Sequence, residues 1–255
     1  MRDPYVESLR YRLETEGGGF IDPEPIHHEL DQFRVTLESG ELQVEMKEHF
    51  ASQGDARAAV EGFLRAWEID AALRLGKPEI HFVFEKSTII DRDPLPPGSS
   101  PVLEASAGGL AVVAGDLTVA VNRKEYPNPP KRFRLSPDAD TLWHRYQGYV
   151  EGREPLLSMA YFCLSLLKWR AGNRRQASKE YGIQYDVLDR LGQLTATKGD
   201  MGTARKLNSY STLTPLSQTE VEWVRAAVEA VIHRVGEYGS AGSLPQIRMS
   251  DLPRL

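Results

Sequence analysis

The apolar residues of this chain change their spacing near Pro137, and that change constrains the fold more than any composition figure. Upstream they mostly alternate with polar residues, the two-residue period of half-buried strands; downstream they recur every three or four residues, as in helices packed on one side. A chain of 255 residues is long enough for two modest cores. The expected class is α+β, an antiparallel or mixed N-terminal sheet with one covering helix, followed by a C-terminal helical bundle. The expected organisation is a strand-rich acidic domain over 1–135, a helical domain over 136–238 and a flexible tail over 239–255, where Gly, Ser and Pro are frequent.

Local patterns fill in this outline. Tyr5 to Glu16 alternates as a strand, with Tyr5, Leu9, Tyr11 and Leu13 on the apolar face and Val6, Ser8, Arg10 and Arg12 on the other; Gly17, Gly18 and Gly19 end it. Phe33, Val35 and Leu37, then Leu42, Val44 and Met46, alternate on either side of a Ser39-Gly40 turn, which predicts a hairpin. Val60, Phe63, Leu64, Trp67, Ala71 and Leu75 have helical spacing within Asp55 to Leu75, and Gly76 and Pro78 stop that helix. A strand follows from Ile80, then a proline-rich loop, and LAVVAGDLTVAVNRKEY predicts one or two further strands. Helices are expected near Asp138 to Val150, Pro155 to Arg170, Arg174 to Glu180, Tyr185 to Leu194 and Ser217 to Glu237. The last opens with a Ser217/Glu220 capping box.

The longest apolar stretch, Leu156 to Leu167, is too short for a membrane span, and the charged N-terminus lacks a signal peptide's apolar core. A soluble cytoplasmic protein without membrane association is expected. Cys163 is the only cysteine and sits among Tyr161, Phe162, Leu164 and Leu166, where a thiol packs as a small hydrophobe. The net charge of -5 hides an asymmetry: residues 1–135 carry net -7 and residues 136–255 net +2. Lys168 to Lys206 alone carries net +5, which makes Lys168, Arg170, Arg174, Arg175, Lys179, Arg205 and Lys206 the candidate binding residues.

Other constellations point to chemistry more weakly. His27 and His28 would face opposite sides of a strand, so they cannot both ligate one metal, and no metal site is expected there. Glu68 and Asp70, two residues apart on a helix, do not share a face and are expected on a solvated edge. No phosphate loop, dinucleotide fingerprint, nucleophile elbow or kinase signature occurs, and no cofactor is expected.

Three stretches resemble known families. The N-terminal order of strands and helix, with Glu45-Met46-Lys47 ending a strand, resembles the core of PD-(D/E)xK nucleases; the resemblance implies Mg²⁺-dependent DNA cleavage, with Asp31, Glu45 and Lys47 as candidate catalytic residues. Ser178, Gly182, Ile183, Leu188 and Leu191 resemble a helix-turn-helix, although Asp186 and Asp189 on its second helix do not suit DNA. Leu142 to Lys168 is similar to the paired helices of HEPN proteins, whose active members carry an Arg and a His on one helix with four to six residues between them. Here Arg225 and His233 are separated by seven, so that resemblance implies a binding or accessory module. The sequence thus favours a non-catalytic binding or adaptor module. Its partner is expected to be another protein, a second copy of the chain, or a nucleic acid; a nucleic-acid phosphodiesterase is the alternative.

Overall fold

The computed structural model describes residues 3–15, 19–75, 80–93, 103–106, 125–200, 214–240 and 242–255. The chain divides into two compact units, Met1–Lys131 and Arg132–Leu255.

The first unit is an antiparallel sheet with a helix across one face. Its strands are β1 (Pro4–Thr15), β2 (Ile26–Glu29), β3 (Phe33–Glu38), β4 (Glu41–Met46), β5 (Ile80–Asp91) and β6 (Leu103–Ser106), and the helix is α1 (Gln53–Leu75). The strand order is β2-β3-β4-β1-β5-β6. The β3–β4 hairpin forms as its alternation requires. Phe33, Val35 and Leu37 are buried, as are Leu42, Val44 and Met46 opposite them. The two turn residues take positive φ, +52° at Ser39 and +77° at Gly40, which gives the turn a twist matching that of the strands. Val60, Leu64, Trp67 and Ala71 of α1 join these side chains in one core. The Trp67 indole N–H donates to the Pro127 carbonyl at 2.9 Å, so its burial leaves no donor unpaired.

Two bulges change the reading of β1 and β5. Val6 pairs with Ile89 and Ser8 with Thr88, leaving Glu7 as an extra residue; further along, Arg10 pairs with Lys86 and Tyr11 with Phe84, leaving Glu85 extra. An extra residue resets the two-residue alternation. Val6, expected on the polar face with Ser8, is therefore fully buried. The short strand β2 was not expected, nor was β6, and most of the predicted strand region LAVVAGDLTVAVNRKEY lies outside the described residues. Glu68 and Asp70 also depart from expectation, because neither is solvated. Glu68 accepts from the Phe82 N–H at 2.8 Å and pairs with Arg65, while Asp70 is 4% exposed and pairs with Arg74 at 2.5 Å.

The second unit is a helical bundle of α2 (Pro137–Val150), α3 (Leu156–Ala171), α4 (Arg174–Glu180), α5 (Tyr185–Thr197) and α6 (Gln218–Glu237). Ser136 caps α2, and the Ser217/Glu220 box caps α6 as its sequence requires. The apolar stripe of α6, including Trp223, Val224, Ala227, Val228 and Val231, is buried. Gly236 lies so close to Phe133 that a Cβ there would stand 2.1 Å from the ring. Within 239–255, Ile247 exchanges backbone hydrogen bonds with Gly182 and Gln184, and Met249–Asp251 forms a 3₁₀ turn.

Arg234 holds this end of the unit together. It is 3% exposed, and its guanidinium donates to the carbonyls of Tyr181 (2.8 Å), Gly182 (3.1 Å) and Pro245 (2.6 Å) and to Glu237 (3.3 Å). One buried cation thus ties α6 to the α4–α5 turn and to the C-terminal segment.

Candidate functional site

The residues of the nuclease-like motif lie on the uncovered side of the sheet. Glu45 points outward from β4 and pairs with Arg34 at 3.4 Å. Lys47 donates to the Leu30 carbonyl at 2.6 Å and pairs with Glu29 at 3.2 Å. Arg34 also forks onto Glu29, at 2.6 and 3.0 Å. That hydrogen-bonded guanidinium, helped by Lys47, holds the Glu29 carboxyl at about 2, well below the usual carboxylate range. The cluster is self-neutralised: two carboxylates share two cations. Asp31 is exposed in the β2–β3 turn and takes no part in it. Among the described residues no group of three His, Cys, Asp or Glu side chains is placed to hold a metal ion.

The remaining sequence candidates are dispersed. His27 is exposed and lies 3.2 Å from the Thr36 hydroxyl, whereas His28 stacks on Phe63 on the other face of β2. Cys163 is buried, and burial pushes its thiol up to about 12, far from the reactive range. On α6, Arg225 pairs with Glu229 at 3.7 Å and His233 with Glu237 at 3.5 Å, so each is engaged with the acid one turn further along.

The basic stretch is organised differently. The buried residues of α3, including Leu156, Met159, Cys163, Leu164 and Leu167, fix one side of that helix in the core. Its last turn then carries Lys168, Trp169 and Arg170, with the two cations near the negative end of the helix dipole. Gly172 at φ +88° ends α3, and the Asn173 side chain caps α4 by accepting from the Gln176 N–H at 3.0 Å. On α4, Ala177 and Ser178 face the core, while Arg175 and Lys179, one turn apart, are exposed.

The cations of this corner fall into two groups. Arg170 forks onto Asp138 of α2 with both contacts at 2.6 Å. Arg174 pairs with Asp189 of α5, and Gly192 makes room for it, since a Cβ there would stand 2.3 Å from the guanidinium. These two arginines join helices. Lys168, Arg175 and Lys179 have no acidic partner among the described residues; Arg205 and Lys206 lie outside those residues. Aromatic rings stand at the same corner, one against a paired cation and one against an unpaired one. Trp169 is 73% exposed, with the Arg170 guanidinium 4.6 Å from its ring centre. Arg175 lies 5.9 Å from the ring centre of Tyr185, which opens α5. No signal in the sequence separated the paired arginines from the free cations, because their acidic partners come from other helices.

The helix-turn-helix spacing corresponds to α4, a turn at Gly182 (φ +58°), and α5. The Ser178 hydroxyl donates to the Ile183 carbonyl at 2.6 Å, and Ile183, Leu188 and Leu191 are buried, so these residues build the corner itself. The exposed side of α5 offers Asp186 and Gln193, a poor set for reading base edges. Among the described residues no helix is long and apolar enough to cross a membrane. Compared with known proteins, the chain matches no family model, no curated protein and no solved structure.

Proposed function

We propose that the chain is a non-catalytic binding module whose helical unit holds single-stranded nucleic acid on the α3–α4–α5 corner. The observation that carries this reading is Trp169, a large apolar ring left 73% exposed on a corner where Lys168, Arg175 and Lys179 have no acidic partner among the described residues. Exposed rings offer every base a stacking face, and Lys168, Arg175 and Lys179 supply charge for phosphates without reading sequence. The exposed Asp186 and Gln193 of α5 are a poor set for base edges, which leaves backbone contact to the unpaired cations. A phosphodiesterase reading has less support: Glu45 and Lys47 are engaged in ion pairs, and Arg225 and His233 are each held by a separate acid.

The test is the fluorescence anisotropy of labelled oligo(U) and oligo(dT) titrated with the full chain at several salt concentrations. Three phosphate contacts predict a slope of about -2 in log affinity against log salt for a single strand. Trp169→Ala is expected to weaken binding about tenfold with little change in slope, whereas Arg175→Gln with Lys179→Gln should flatten the slope to about -0.7. Absence of binding at about 50 mM salt, or an unaffected Trp169→Ala protein, overturns the reading. In that case, self-association or a salt-insensitive protein complex identifies the corner as a protein-docking face.

A further inference from the structure

The sheet unit contains a second feature that the binding reading does not use. A cavity of about 500 Å³ opens where the end of β1, the chain leading into β2 and the β3–β4 turn meet Tyr126. That volume suits a small ligand or a single inserted side chain. Its apolar walls include Leu13, Phe20 and Tyr126, the two aromatic rings lying 4.8 Å apart. Tyr126 is 5% exposed and fixed in place, because its hydroxyl accepts the Gly40 N–H at 2.7 Å. The hydroxyl's own hydrogen has no acceptor among the described residues.

Among the described residues, the charged side chains lining the cavity are both acidic, Asp22 and Glu38. Elsewhere on the strands, Glu14, Glu29, Glu41, Glu45 and Glu85 each have an arginine partner. Asp22 and Glu38 take part in no ion pair among the described residues. Glu38 is moreover directly opposite Glu41 in the hairpin register, and Arg10 satisfies only Glu41. Like charges across a strand pair repel, so a cation arriving beside Glu38 would relieve an unfavourable contact. Aromatic faces beside carboxylates favour the same occupant, since ring quadrupoles attract cations.

We infer that this cavity is a binding site for an alkylguanidinium or alkylammonium ion, the side chain of an arginine or lysine presented by a peptide. The unspent Tyr126 O–H suits the peptide carbonyl that accompanies such a side chain. A free polyamine offers the same cation without the carbonyl. The test follows amide shifts of Gly40, Phe20 and Asp22 by NMR in the full chain, titrated with acetyl-arginine amide, its neutral isostere acetyl-citrulline amide, and spermidine. Acetyl-arginine amide should give saturable shifts in the low millimolar range and acetyl-citrulline amide none; a stronger response to spermidine upholds the cation site and assigns it to polyamines. Asp22→Asn with Glu38→Gln should weaken binding about tenfold. Asn tolerates the φ of +44° that Asp22 adopts, so the fold is kept. Equal shifts with the citrulline compound, undiminished binding by the double variant, or no shift at about 20 mM ligand overturns the inference.

Discussion

Replacing Arg234 by methionine keeps much of the side-chain volume and removes the charge that clamps the α4–α5 turn. The guanidinium makes three hydrogen bonds to main-chain carbonyls and one to Glu237. Charge-assisted bonds contribute about 1.5–3 kcal/mol each, but the desolvation of a buried cation offsets a large part of that sum. Removing one partner from such a network costs about 3–5 kcal/mol, because the carbonyls stay buried without donors. Urea unfolding followed at 222 nm reads this unit, which supplies five of the six α-helices among the described residues. With a slope of about 2 kcal/mol per molar urea, the midpoint should fall by about 1.5–2.5 M. Gly182 refines the test, since a Cβ there would stand 2.8 Å from the guanidinium. Gly182→Ala should therefore cost more in the wild type, where it displaces Arg234 as well as straining φ, than in the Arg234→Met background. An Arg234→Met midpoint within about 0.5 M of wild type refutes the clamp, as does strict additivity with Gly182→Ala.

Two further outcomes follow from packing and charge. Arg34→Gln should raise the Glu29 titration midpoint from about 2 toward the ordinary value, read by carboxyl ¹³C NMR. Because the folded value is depressed, the stabilisation from this pair is complete above about pH 4.3 and is lost as pH falls toward 2. Gly236→Ala should lower helical-unit stability by about 2–3 kcal/mol in thermal unfolding, since Phe133 has to leave its place; Phe133→Leu in the same protein should recover part of the loss.

What could be read in advance was whatever depends on near neighbours in sequence. The β3–β4 hairpin follows from alternation plus a two-residue turn, and the start of α6 from a cap and its partner three residues on. Val6 was misplaced because a bulge is set by pairing between strands, which leaves no mark in β1 alone. Strand β2 lies between a proline-rich approach and a tight turn, and its four residues are too few for a period to register. The roles within the basic stretch were hidden for a similar reason. Arg170 and Arg174 look no different from Arg175 until Asp138 and Asp189 arrive from other helices. Arg234 gave no signal either, since it falls within an amphipathic helix and its carbonyl partners are 52, 53 and 11 residues away.

The burial of Cys163 has a practical consequence for labelling. A thiol whose proton leaves only near pH 12, inside a closed core, presents almost no thiolate to maleimides or iodoacetamide at neutral pH. The folded protein is therefore a silent background for site-directed probes. A cysteine introduced in place of Trp169 or Glu38 would carry a fluorophore or spin label alone, so the helical corner and the sheet cavity can be reported on separately within one intact chain.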